Sequence, residues 1–306
     1  MNIVFMGTPD FARESLKALL DAGHKILGVF TQPDKKSGRG QKVNFSSVKE
    51  FALERNLKIF QPNSLKTEES FNLIKELNPE LIVVVAYGKI LPKNILDIPD
   101  KGCINVHGSL LPEYRGAAPI QWAILDGKKE TGVTTMFMDE GMDTGDVLLE
   151  EKVSINNDET SGELFSRLSV IGAKLLIKTI KCLEEKKLVP KKQDNDLATY
   201  TKMLTKEMGL IDWNQSAIKI YNLVRGLNPW PVAYTFLDGK KVKIYKVKVL
   251  KNISGNPGEI VNENPFIIAC KDNEAIEVVE LQMENKKRML SSDFLRGYKI
   301  KNKFLS

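Results

Sequence analysis

Short apolar runs alternating with amphipathic stretches restrict this chain more than any other feature. Asn2-Ile-Val-Phe-Met6 is a strand-sized apolar run, and Gly7-Thr-Pro-Asp10 follows as a turn. Phe11 to Ala22 places Phe11, Leu16, Leu19 and Leu20 near one helical face, with Gly23 as a stop. Ile26 to Thr31 reads as a second strand, 46–55 as a helix and Ile59-Phe60 as a short strand. Glu68 to Leu77 is another amphipathic helix, and Leu81 to Ala86 and Cys103 to Val106 are further strands. This rhythm predicts an α/β fold: a Rossmann-like, mostly parallel sheet with helices on both faces. Thr131 to Met138 and Val147 to Val153 add two later strands, and Ser161 to Glu185 reads as one long helix.

After Leu188 the texture changes. The polar stretch starting Val189-Pro-Lys-Lys-Gln-Asp-Asn-Asp196 reads as a linker, which divides the chain into 1–188, a linker over 189–205, and 206–306. The last part carries one helix between Trp213 and Trp230 and a Pro-Trp-Pro turn. Short strands follow at Ala233–Leu237, Lys241–Leu250, Gly258–Val261, Phe266–Cys270 and Ala275–Gln282, with Asp238-Gly239 as a hairpin turn. That spacing predicts a small OB-like β-barrel. Two domains also suit a length of 306 residues.

Charge separates the same two parts. Residues 206–306 hold 14 Lys and 3 Arg against 11 Asp and Glu, which accounts for the whole net charge of +6. A basic domain joined to a neutral one points to a polyanion partner, with nucleic acid first. The longest apolar run, Leu81 to Tyr87, is far short of the ~20 residues a membrane-crossing helix needs. The amino-terminal stretch lacks the basic-then-apolar pattern of a secretory signal. Three widely spaced cysteines, at 103, 182 and 270, suit a reducing cytoplasm and form no zinc motif. No membrane partner and no metal are expected.

The first strand-to-helix turn argues against a dinucleotide site. Gly7-Thr-Pro-Asp-Phe-Ala12 has one glycine where a pyrophosphate turn wants three, and Pro9 removes a donor. No P-loop lysine motif is present. The richest stretch is Gly102-Cys-Ile-Asn-Val-His-Gly108. Asn105 and His107 lie two apart on a strand, so they share a face. They sit at its carboxyl end, where open α/β sheets place ligands. An Asn amide can donate to an oxyanion, and a His can donate or relay a proton. In Asp139-Glu-Gly-Met-Asp-Thr-Gly-Asp146 the carboxylate spacing does not fit a calcium loop. Asp143 and Asp146 are the candidates to orient His107. Asp34-Lys-Lys-Ser-Gly-Arg-Gly-Gln-Lys42 is a basic loop suited to phosphates. Cys103 has no basic partner beside it and reads as sheet packing.

These residues carry a resemblance. GTPDFA (7–12), TQPDKKSGRGQK (31–42), AYGKILP (86–92), GCINVHGSLLPEYRGAAPIQ (102–121), MDEGMDTGDVL (138–148), IDWNQSA (211–217) and RGLNPWPVA (225–233) follow in order over nearly the whole chain. The sequence resembles the methionyl-tRNA formyltransferase family, within the folate-dependent formyltransferases. The resemblance implies a Rossmann-like formyltransferase domain over 1–188 and a tRNA-binding, OB-like domain over 206–306. It implies 10-formyltetrahydrofolate as donor, the α-amine of initiator Met-tRNA as acceptor, and a role in translation initiation. A cytoplasmic monomer is the default expectation. Asn105, His107 and Asp143 are then the catalytic set. Ser109, Leu110, Leu111 and Pro112, with Tyr87, Gly88 and Ile90, belong to the folate site. Lys35, Lys36, Arg39 and Lys42 face the tRNA.

One departure from the family pattern is VNFSSVK (43–49), where a Pro is expected. Two other readings compete. A formyltransferase for a small amine, such as a glycinamide ribonucleotide or a sugar amine, would lack either the last hundred residues or the basic loop in this form. A non-enzymatic RNA-binding protein would have no use for Asn105, His107 and Asp143 together.

Overall fold

The apolar runs of the first half gather into one seven-stranded sheet. In the computed structural model, which describes residues 1–37 and 42–305, β1 (Asn2–Gly7) leads into α1 (Asp10–Asp21) and β2 (Lys25–Phe30). The antiparallel pair β3 (Lys35–Ser37) and β4 (Lys42–Asn44) precedes α2 (Ser47–Glu54), β5 (Ile59–Phe60), α3 (Glu68–Leu77) and β6 (Leu81–Val85). Next come α4 (Lys93–Leu96), β7 (Cys103–His107), β8 (Arg115–Gly116), α5 (Pro119–Leu125), β9 (Glu130–Phe137), β10 (Val147–Ser154) and α6 (Ser161–Glu184). The sheet order is β10-β9-β7-β6-β1-β2-β5. β5, β2, β1, β6 and β7 run parallel, and β9 is antiparallel to β7. The expected mostly parallel α/β architecture is therefore the one observed.

Physical causes are local and readable. β6 is Leu-Ile-Val-Val-Val, all buried, because a central parallel strand is covered on both faces. α1 turns Phe11, Ala12, Leu16 and Leu19 inward. Ser46 caps α2 by accepting from the Lys49 N–H, and Thr67 caps α3 by accepting from Ser70. α3 ends at Asn78 in the left-handed region, a residue that tolerates it. One apolar cluster holds Val4, Met6, Phe30, Ile82, Tyr87 and Cys103.

The topology places a crevice. The chain runs outward from β1 to β2 and β5, then returns to set β6 on the other side of β1. Open α/β sheets bind ligands at such a reversal, beyond the carboxyl ends of the strands. There β1, β6 and β7 deliver Thr8-Pro9, Ala86-Tyr87-Gly88 and Gly108-Ser109.

The chain divides into two compact units, and the division is discontinuous in sequence. The first contains Met1–Pro119, Thr131–Ser154 and Phe165–Thr201, and the second Ile120–Glu130, Ile155–Leu164 and Lys202–Ser306. The stretch 189–205, expected as a polar connector, is held closely as far as Thr201. Lys191 exchanges two backbone hydrogen bonds with Val147, at 2.8 and 2.9 Å. β11 (Tyr200–Thr201) pairs in parallel with β8. Two-residue strands carry no periodicity, so nothing in the sequence announced this pairing.

The second unit contains α7 (Ala217–Gly226), β12 (Ala233–Leu237), β13 (Lys240–Lys251), β14 (Ile260–Asn262), β15 (Ile267–Ala269), β16 (Glu274–Met283), β17 (Met289–Leu290) and α8 (Ser291–Gly297). Its antiparallel sheet runs β12-β13-β16-β15-β14, with β17 also on β16. Leu237 pairs with Lys240 across Asp238-Gly239, whose φ values of +49° and +72° are those of a type I′ hairpin turn. Val242, Ile244 and Val247 alternate inward with Val278 and Leu281, and a bulge beside Tyr245 shifts the register between them. Trp213 is buried and donates its indole N–H to Thr235 Oγ1 at 3.1 Å. The helix expected between Trp213 and Trp230 is α7, and the N–H of its first residue, Ala217, is taken by the Glu274 carboxylate at 2.9 Å. Among the described residues no helix is long and apolar enough to cross a membrane.

Candidate active site

β7 carries Asn105 and His107 on one face, roughly 7 Å apart along the strand. Asn105 pairs with Val84 of β6 and Met136 of β9, and His107 with Thr134. The alternate residue Val106 lies on the opposite face, close to Gly172 of α6. Asn105 is 9% exposed and His107 6%. The Asn105 amide makes no hydrogen bond to any described residue and is not among the buried polar atoms left unpartnered, so a solvent-touching donor is available at the strand end.

His107 is hydrogen-bonded on one side and faces a carboxylate on the other. Its Nε2 lies 3.0 Å from the Tyr114 carbonyl, and its Nδ1 faces Asp143 Oδ2 at 3.7 Å. Nε2 donates to that carbonyl, since a carbonyl only accepts. The same Oδ2 of Asp143 accepts the Gly116 N–H at 2.7 Å. Of the two carboxylates the sequence left open, Asp143 is the one brought to His107. Asp139 in the same loop ties the loop itself, accepting from Gly141 N–H and from the Thr144 hydroxyl at 2.7 Å.

Backbone conformation makes this meeting possible. Gly116 has φ +100°, and a Cβ there would lie 2.8 Å from the Thr201 carbonyl. Gly145 admits close approach, because a Cβ there would lie 1.8 Å from the Phe137 carbonyl. Asp143 itself sits at φ +53°, which aspartate accepts more readily than most residues.

Further support comes from the polar stretch after α6. Gln193 donates from Nε2 to the carbonyls of Asp143 and Gly145, at 2.8 and 2.7 Å. Its Oε1 accepts from Nε and one terminal nitrogen of Arg115, at 3.1 and 2.8 Å. Arg115 is 1% exposed and also reaches Asn195 Oδ1 and the Tyr200 hydroxyl. Thr199 accepts the Tyr114 N–H on its hydroxyl at 2.8 Å. Sequence reasoning missed all of these contacts, because a run of Lys, Gln, Asp and Asn after a helix has the composition of a linker.

The remaining candidates fall into different environments. Ser109 is fully buried, and its hydroxyl donates to the Glu113 carbonyl at 2.6 Å. The Ser109 carbonyl accepts from Thr134 Oγ1, which also takes the Leu111 N–H, so this turn is tied to β9. Leu111 is buried with Met136 and Val147, while Leu110 and Pro112 are partly open. Tyr87 points into the apolar cluster with its hydroxyl unpartnered, and burial pushes that phenol up to about 12. Gly88 and Ile90 beside it are exposed, Ile90 at 72%. Gln32 donates to both the Tyr87 and Gly88 carbonyls and so fixes this edge of the crevice.

Arg39 of the basic loop lies outside the described residues, and for Lys35, Lys36 and Lys42 only the backbone is described, in β3 and β4. Asp34, just before these residues, is described. Hydrogen bonds from Lys49 and Gln61 hold that carboxyl below the usual carboxylate range. Among the described residues no group of three His, Cys, Asp or Glu is placed to hold a metal ion.

Residues 1–180 match the family model described as formyl transferase. The chain belongs to the formyl transferase family. Residues 203–299 match the C-terminal domain of formyl transferases. Within the family, the chain is 52% identical over 303 residues to the methionyl-tRNA formyltransferase of Caldanaerobacter subterraneus subsp. tengcongensis, covering 98% of each. It is 50% identical over 302 residues to that of Alkaliphilus oremlandii, covering 98% of this chain and 97% of the relative. The fold is that of the sugar 3N-formyl transferase WlaRD, crystallised in the presence of dTDP and 5-N-formyl-THF. The TM-score is 0.69 at 23% identity, covering 94% of this chain and 99% of that one. HypX from Aquifex aeolicus in complex with tetrahydrofolic acid shares it too, with a TM-score of 0.65 at 16% identity, covering 99% of this chain and 50% of that one.

Proposed function

We propose that this member of the formyl transferase family moves the formyl group of 10-formyltetrahydrofolate to the α-amine of methionine on initiator Met-tRNA. The observation that carries the reading is the Asn105 amide, bonded to no described residue, on one face with a His107 that faces Asp143, at the carboxyl end of β7. Identity of about half with methionyl-tRNA formyltransferases along 98% of the chain supports the acceptor.

In this reading the α-amine attacks the formyl carbon. A C–N bond forms, and the carbonyl oxygen takes up negative charge. The Asn105 N–H donates to that oxyanion, an interaction that strengthens as charge develops. The tetrahedral intermediate collapses by breaking the bond to the folate nitrogen. The amine gives up a proton and the folate nitrogen gains one, so the two losses and gains balance. His107, with a bound water, carries this proton, and Asp143 fixes its ring orientation. No covalent enzyme intermediate and no metal enter the scheme.

The folate donor binds in the crevice beyond β1, β6 and β7. Gly88, Ile90, Leu110 and Pro112 offer surface there, and Tyr87, Ser109 and Leu111 support it from beneath. Ile90, 72% exposed beside Gly88, offers apolar surface at that edge, which suits the flat ring of a folate. Lys35, Lys36, Arg39 and Lys42 meet the acceptor stem, and the basic region 206–306 meets the body of the tRNA. The catalytic region is 1–188, joined through 189–205. The protein works as a cytoplasmic monomer.

The test is formyl transfer from 10-formyltetrahydrofolate to charged initiator tRNA, with free methionine and His107→Ala as controls. Formyl-Met-tRNA from the wild type alone is the expected result. Folate binding without transfer to the tRNA would overturn the acceptor and redirect the search to small amines.

A further inference from the structure

The geometry points to Gln193 as a positioning residue that sets Asp143 against His107, from a segment the sequence presents as a connector. This rests on the catalytic reading above. Gln193 uses both ends of its amide. Nε2 donates to the carbonyls of Asp143 and Gly145, at 2.8 and 2.7 Å, on either side of Thr144. Oε1 accepts from the buried Arg115 fork. Arg115 is next to Gly116, whose N–H grips Asp143 Oδ2, and next to Tyr114, whose carbonyl holds His107. One side chain thus spans the loop that presents the carboxylate and the turn that fixes both members of the pair.

The orientation of the amide is determined by its partners. Two carbonyls require donors at one end and a guanidinium requires an acceptor at the other, so only Gln of this length satisfies all four contacts. Asp143 at φ +53° has no helix or strand ladder to hold its backbone, and these bonds supply the missing constraint. Asp143 Oδ2 lies 3.7 Å from the imidazole Nδ1, and a misplacement of even about 1 Å can cost about 100-fold in rate.

Gln193→Glu separates positioning from folding. The carboxylate still accepts from Arg115, but it turns an acceptor toward the two carbonyls and pushes the Asp143 loop away. In steady-state transfer with the full-length protein, kcat is expected to fall roughly 10–100-fold, with both KM values within about threefold of wild type. In an Asp143→Asn background the same substitution should cost nothing further, because the group it acts through is already gone. Gln193→Met, of similar length without polar atoms, is the second variant should Gln193→Glu fold poorly, and the same non-additive loss is expected. A wild-type kcat in a folded Gln193 variant, or a full additional loss in the Asp143→Asn background, would overturn the assignment. An inactive wild type would instead overturn the catalytic reading, so the two failures are distinguishable.

Discussion

Replacing Asn105 by Ala should uncouple activity from stability. The side chain is 9% exposed, and its amide bonds to no described residue. Truncation to Ala removes no hydrogen bond to a described residue, and the amide is not among the buried polar atoms left without a partner, so only packing of the short side-chain stem is lost. Stability should therefore move by no more than about 1 kcal/mol. Catalysis should respond far more strongly. A single oxyanion donor is worth about 2.7–4 kcal/mol, so kcat should fall roughly 100–1000-fold.

The assay is initial-rate transfer with donor and acceptor both saturating, alongside urea unfolding of the same preparation. The contrast between the two readouts is the test, because a residue that merely fills space loses both together. Asn105→Asp sharpens it: a carboxylate offers only acceptors to a developing oxyanion, so its loss should equal or exceed that of Ala. A kcat within threefold of wild type for Asn105→Ala, or a stability loss above about 3 kcal/mol, would refute the reasoning.

Gly116→Ala places a Cβ 2.8 Å from the Thr201 carbonyl at φ +100°, and should lose about 1–3 kcal/mol in urea unfolding together with kcat, as the N–H leaves Asp143. Thr160 and Glu163 form a reciprocal cap at the start of α6, so Thr160→Ala should cost about 1 kcal/mol in the same assay. Hydrogen bonds from Thr160 lower the Glu163 carboxyl, so its contribution is present above the ordinary glutamate range and is lost as pH falls through the lowered value. The stability gap between wild type and Glu163→Gln should therefore close on acidification, and a gap that widens would contradict the cap. Burial pushes the Cys103 and Cys270 thiols up to about 12, leaving roughly one in ten thousand ionised at pH 8. Iodoacetamide on the folded protein should label Cys182 alone, as counted by mass spectrometry, and both others after unfolding.

How much of this was legible in the sequence depends on the range of the interaction. β6 was readable because five consecutive apolar residues suit a strand covered on both faces. The hairpin at Asp238-Gly239 was readable because the turn needs two positive φ values that these residues tolerate. Asn105 and His107 were readable because a two-residue spacing fixes their common face. Choosing Asp143 over Asp146 was not possible from spacing, since both lie in one glycine-rich loop. The choice is made by the N–H of Gly116, 27 residues earlier in the chain.

The contacts that escaped the sequence share a cause. Gln193 meets Arg115 and Asp143 across separations of 78 and 50 residues, through single side-chain bonds. Neither periodicity nor composition records such a bond. The segment looks like a linker because its job is polar: it satisfies carbonyls and a guanidinium and buries little apolar surface. A carboxylate on a loop has to be held by some other part of the chain, whereas an amide on a central strand is held by the sheet itself. Hence the same site presents one half that local sequence dictates, Asn105 and His107 on β7, and another half that only the folded chain assembles. The orienting carboxylate belongs to the second half, so its precision depends on residues that by composition alone would be counted as solvent-facing connector.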